Sequence, residues 1–148
     1  MIRLFGRTLS GKVLVAGVGR VDRFDDGVGP MLARRLAKVS GVRTLDCGDR
    51  LEDFTGDIAR LGPDIVLIAD AVDLKAAPGS MALLAADKLP EDLNSHRATL
   101  RTAMEYLKMR TRADVLLLAI QPARVEDGVG LSREVQATVN LLADLFEV

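Results

Sequence analysis

At 148 residues, with 49% hydrophobic and 28% charged residues and a formal net charge of -1, the chain has the composition of one folded domain spanning residues 1–148 around a sizeable core. These figures exclude an intrinsically disordered chain, and the near-balanced charge supplies no basic field of the kind a nucleic-acid binder uses. No apolar stretch reaches the ~18 residues that span a bilayer, and the single cysteine, Cys47, excludes an internal disulfide or a zinc site built on paired cysteines.

The start, MIRLFGRTLSGKVLVAGVG, carries basic residues ahead of an apolar run but lacks a small-residue cleavage site. A signal peptide is therefore not expected, and a cytoplasmic setting is the default. Residues 12–17 (KVLVAG) form a short apolar run ending in glycine, which predicts a buried strand. From Val28 the apolar positions Val28, Leu32, Leu36 and Val39 recur at helical spacing, with Arg34, Arg35 and Lys38 on the opposite side. Residues 42–45 predict a second strand. Leu51, Phe54, Ile58 and Leu61 predict a helix closed by Gly62-Pro63, and residues 64–69 (DIVLIA) a third strand.

The next connection, residues 70–79, has ten residues and a Pro-Gly turn signal. A parallel crossover needs a dozen or more, so the strand around residues 81–85 is expected to run antiparallel to its neighbour. A helix follows with Leu100, Met104 and Leu107 on one face and Asn94 or Ser95 as its cap. Residues 115–120 (VLLLAI) give a fifth strand, and Leu131, Val135, Val139, Leu142 and Phe146 a final periodic helix. The sum is an α/β sandwich on a mostly parallel five-stranded sheet with one antiparallel strand.

In open α/β sheets, ligands gather where strands run out into loops at their carboxyl ends. The first such loop, residues 17–30 (GVGRVDRFDDGVGP), carries Asp22, Asp25 and Asp26. Pro30 is tolerated only in a first helical turn, which starts the helix near Gly27 and puts Asp25 and Asp26 at its mouth. As a cap, one of these carboxylates would add ~1 kcal/mol; cap and ligand are equally compatible with this pattern. Asp70 is the first polar residue after a central strand, whereas Asp73 better fits a turn that bonds the backbone ahead. His96, the only histidine, sits at the amino end of a helix, whose dipole keeps the ring in its neutral, metal-ligating form. One of these loop carboxylates, Asp25 or Asp26, converging with Asp70 and His96 on one rim would make a divalent-metal site open to an outside ligand.

The rival pattern is a dinucleotide turn, with Gly17-Val18-Gly19 after a strand and Asp46 as the ribose carboxylate. Asp22 stands where its third glycine belongs, and carboxylates lie where a pyrophosphate should, so no nucleotide is expected. A P-loop and a nucleophile elbow are both absent from the sequence. Cys47 is expected to pack as a small buried residue.

Five segments in order now resemble one family, the maturation endopeptidases of nickel-iron hydrogenases: GVGRVDRFDDGVGP, LDCGD, IADAVD with its PG turn, SHRATL and AIQP. The resemblance implies a peptidase that trims a C-terminal extension from a hydrogenase large-subunit precursor after nickel insertion. It also implies the reversed strand and helices on both faces, a three-layer sandwich. Its metal-binding positions fall on Asp26, Asp70 and His96, which would take up open positions on a nickel ion carried by the substrate, or on another divalent metal. Asp25 is then a candidate supporting or general-base carboxylate. The family pattern has asparagine where this chain has Arg20, glycine where it has Phe24, and threonine where it has Asp49. The alternative from another class is a nickel-dependent docking module that binds such a precursor without cutting it. Neither reading involves nucleic acid or membrane.

Overall fold

The computed structural model describes residues 2–89 and 95–147, with residues 95–98 described in backbone only. The chain opens with a small antiparallel hairpin, β1 (Ile2–Leu4) and β2 (Arg7–Leu9), that the sequence pattern did not announce. Its two-residue turn puts Phe5 at φ 51° and Gly6 at φ 78°, the doubly left-handed geometry that matches strand twist. Three residues per strand are too few to show an alternation, so the hairpin left no readable signal.

The main sheet is built from the apolar runs. β3 (Val13–Gly17), β4 (Val42–Asp46), β5 (Ile65–Ala71), β6 (Met81–Ala85) and β7 (Asp114–Ile120) lie in the order β4-β3-β5-β7-β6. β3 and β5 are buried throughout and β7 from its second residue, which places them in the middle, as expected for strands covered on both faces. β3 runs parallel to β4 and β5, and β5 parallel to β7. β6 is antiparallel to β7, with Met81 opposite Ile120, so the short connection reverses the chain as expected.

The alternation along each strand divides the core. Val13, Val15, Leu67 and Ala69 face α1 (Val28–Leu36) and α4 (Arg133–Phe146), packing on Val28, Leu32, Leu36, Val135, Leu142 and Phe146. Leu14, Ala16, Val66 and Ile68 face α2 (Thr55–Leu61) and α3 (Ser95–Arg110), against Ile58, Leu100, Met104 and Leu107. Each fully buried leucine or isoleucine contributes about 1.5–3 kcal/mol to holding the three layers.

Three boundaries differ from the sequence expectation. The helix expected from Leu51 starts as a 3₁₀ turn, Leu51–Phe54, before α2, which Gly62 ends at φ 60°. α1 closes at Leu36, and Val39 follows it on a single bond to the Leu36 carbonyl at 2.9 Å. β5 runs on to Ala71, so Asp70 lies inside a strand rather than after one. The expected cap Asn94 lies outside the described residues.

Candidate functional site

The loop after β3 is shaped by backbone contact. A Cβ on Gly17 would overlap the Gly29 carbonyl, and one on Gly29 would overlap the carbonyls of Ala69 and Val18. The repeated Gly-Val-Gly therefore lets the first turn of α1 rest directly on the carboxyl ends of β3 and β5. The Val18 amide donates to the Ala69 carbonyl at 2.8 Å, and the Gly19 amide to the Gly48 carbonyl at 2.7 Å. The Arg20 amide donates to Asp26 Oδ2 at 2.9 Å. All three amides are thus used inside the protein, and the turn offers none of them to a pyrophosphate. Asp46 holds Arg34 at 3.0 Å and accepts the Gly48 amide at 3.1 Å.

The two adjacent aspartates separate into different tasks. Asp25 is fully buried, and its carboxylate accepts amides from Ala123 at 2.9 Å, Arg124 at 3.1 Å and Ser132 at 2.7 Å. Charge-assisted bonds of this kind are worth about 1.5–3 kcal/mol each, so Asp25 fastens the loop between β7 and α4 to the site loop. Backbone bonds extend the seam: Phe24 N–H to the Gly128 carbonyl at 2.8 Å, Gly128 N–H to the Asp22 carbonyl at 3.0 Å, and Asp25 N–H to the Arg124 carbonyl at 3.0 Å. Asp26, half-buried, accepts the Arg20 amide through Oδ2, and among the described residues nothing donates to its Oδ1. Neither aspartate caps α1, whose N-cap is Gly27 without a side-chain bond.

Asp70 is 1% exposed on β5. By alternation it shares the parity of Val66, Ile68 and Val72, the face covered by α2 and α3. Its chain neighbour Ala69 touches the first turn of α1 through Gly29, so Asp70 and Asp26 belong to one rim of the sheet. His96 is the second residue of α3, and its imidazole lies outside the described side chains. Among the described residues no three His, Cys, Asp or Glu side chains group closely enough to hold a metal ion. Near the start of α3 a cleft of about 130 Å³ is lined by Val18, Asp49, Leu51, Glu52, Thr99 and Leu100. Asp73 makes the turn expected of it, accepting the Lys75 amide at 3.0 Å.

The departures Arg20 and Phe24 have distinct local consequences. Arg20 turns outward and binds Asp22 through two nitrogens, at 2.8 and 3.1 Å. That hydrogen bond, more than charge alone, holds the Asp22 carboxyl below the usual carboxylate range. Phe24 adopts φ 47°, a left-handed backbone that favours glycine and costs other residues about 1–2 kcal/mol. Its ring covers Gly128, where a Cβ would overlap it, and the Arg124 guanidinium lies 4.1 Å from the ring centroid. Cys47 is buried as expected, and burial, with Asp46 and Asp57 adding to it, pushes its thiol up to about 12.

Two organising residues escaped the sequence reading. Gln121, buried at the end of β7, accepts the Leu74 amide at 2.5 Å and so shapes the loop that follows Asp70. Ser132 caps α4 by accepting the Val135 amide at 3.3 Å while donating its own amide to Asp25. The signal for Gln121 was present, because it is the first polar residue after the apolar run of β7, the same rule that singled out Asp70. For Ser132 no local signal pointed to a carboxylate 107 residues away.

Comparisons with known proteins show the family and the fold of this chain. A family model described as hydrogenase maturation protease (HycI) matches residues 28–147. The hydrogenase 3 maturation protease of Escherichia coli K12 is 31% identical over 109 residues, covering 71% of this chain and 69% of that protein. A putative hydrogenase maturation protease of Methanocaldococcus jannaschii is 24% identical over 92% of this chain and 89% of its own. Among solved structures, the [NiFe] hydrogenase maturation protease HycI of Thermococcus kodakarensis KOD1 superposes with a TM-score of 0.82 at 27% identity, covering 93% of this chain and 94% of that one.

Proposed function

Since this chain belongs to the hydrogenase maturation protease family and is a peptide-bond hydrolase, we propose that it removes the C-terminal extension of a nickel-iron hydrogenase large-subunit precursor after nickel insertion. The substrate is then a folded protein that carries its own nickel. Asp26, Asp70 and His96 take open positions on that ion, and the ion acts as the handle that brings one peptide bond to the rim. Two carboxylate oxygens and a neutral imidazole suit a divalent transition ion already held elsewhere by thiolates.

Hydrolysis adds water across the amide: the hydroxyl goes to the carbonyl carbon and a proton to the departing nitrogen. A rim carboxylate can accept the proton of the attacking water, and a nearby cation can polarise the carbonyl. Asp25 supports the site from below, since its oxygens already accept three amides of the neighbouring loop. No helix among the described residues is long and apolar enough to cross a membrane, and the reaction is assigned to the cytoplasm as part of this proposal.

The observation that carries the reading is Asp70, a carboxylate 1% exposed at the carboxyl end of a central strand, on a rim shared with the turn that bears Asp26. The test is a panel of Asp26→Ala, Asp70→Asn and His96→Ala, each checked for native circular dichroism and then incubated with nickel-loaded precursor. Each variant is expected to fold and to release no C-terminal peptide. Wild-type processing by any one of them removes that residue from the mechanism.

A further inference from the structure

One feature of the site loop has no part in the proposed cleavage so far: a bulky residue is held in a glycine-favouring backbone. Phe24 has φ 47° and is joined through Asp25 to Asp26. Strain of this kind persists only where surrounding contacts over-determine it, and it concentrates at sites that must be held still. Here the contacts are specific. The Phe24 amide donates to the Gly128 carbonyl at 2.8 Å, the ring fills the space above Gly128, and the Arg124 guanidinium stacks 4.1 Å from its centroid. Arg23 adds an ion pair to Asp127 at 3.2 Å on the same seam. Glycine could adopt this backbone without strain and could leave it as readily; phenylalanine stays because its ring is trapped.

We propose that Phe24 is a positioning residue for Asp26: its ring, seated on Gly128 beneath Arg124, fixes the turn Phe24–Gly27 so that the Asp26 carboxylate meets the substrate in one orientation. The inference rests on the reading of Asp26 as a substrate-contacting carboxylate. It also explains why Gly128 bears no side chain. Because Asp26 grips the substrate before and during the reaction alike, a loosened turn weakens substrate binding more than turnover.

The test separates KM from kcat for removal of the extension from nickel-loaded precursor. Phe24→Gly permits the left-handed backbone without strain but loses the ring that holds it there. It is expected to melt at the wild-type temperature, to raise KM about tenfold, and to leave kcat within about twofold. Phe24→Tyr retains a ring and is expected to restore the wild-type KM. Phe24→Gly with wild-type KM overturns the proposal, as does Phe24→Tyr with the defect of Phe24→Gly. A lowered melting temperature in Phe24→Gly, with KM recovered on cooling, also overturns it, since the ring would then be structural only. Asp26→Asn run alongside distinguishes the two levels. If it processes normally, the reading of Asp26 is wrong and the inference falls with it; if it is inactive while Phe24→Gly is normal, only the inference falls.

Discussion

The Asp25 carboxylate accepts the Ser132 amide at 2.7 Å across 107 residues of chain, and so ties the site loop to the first turn of α4. The same carboxylate holds the amides of Ala123 and Arg124, which makes it the fastening point of two loops at the sheet's functional end. Removing it leaves three amides without their acceptor. Asp25→Ala is expected to destabilise the fold by about 3–5 kcal/mol, and Asp25→Asn, which keeps one acceptor oxygen, by about 1–3 kcal/mol. Urea denaturation followed by circular dichroism reads both values. A loss below about 0.5 kcal/mol for the alanine variant would show that the seam is held by its backbone bonds alone.

The pairing of Arg20 with Asp22 gives a pH signature. The Asp22 carboxyl is held below its ordinary range, first by its hydrogen bond to Arg20. A depressed folded-state value contributes stability that is fully present above the ordinary carboxylate range and is lost as pH falls through the depressed value. Both groups are exposed, so the effect on overall stability is small and weakens with salt. Carboxyl-carbon NMR should place the Asp22 midpoint below that of an exposed aspartate, and Arg20→Ala should return it to the ordinary range. An unchanged midpoint in that variant would assign the shift to another cause.

Cys47 should be chemically silent. Burial pushes its thiol up to about 12, so the reactive thiolate is scarce at neutral pH and the sulfur is shielded as well. A disulfide reagent at pH 8 is expected to label the unfolded chain at once and the native chain only at the rate of global opening. Rapid labelling of the native protein would mean that the end of β4 opens locally.

The sheet was legible because its signals are local. The apolar runs of β3, β5 and β7 announce strands without knowledge of their partners, and the ten-residue link after Asp70 forces the reversal of β6. Asp70 stood out because it is polar at the point where an apolar pattern stops, whereas Asp26 is one of three aspartates in its loop and was singled out by the family resemblance. The hairpin of β1 and β2 did not, since its turn uses Phe5 where an asparagine would have advertised the left-handed geometry. The distinct task of Asp25 was hidden for a different reason. Two adjacent aspartates look alike in sequence, and only the amides of Ala123, Arg124 and Ser132, brought from the far end of the chain, tell them apart. The left-handed backbone of Phe24 was hidden in the same way, because its stabilising partners Arg124 and Gly128 are distant in sequence.

The most direct test of nickel-directed cleavage is the intact mass of a large-subunit precursor after incubation with this protein, with and without nickel in the precursor. Nickel-directed cleavage predicts a shortened chain from the nickel-loaded sample and the full-length mass from the nickel-free one. Equal shortening of both samples would contradict the nickel handle, and a stable complex with an intact nickel-loaded precursor would contradict the cleavage itself.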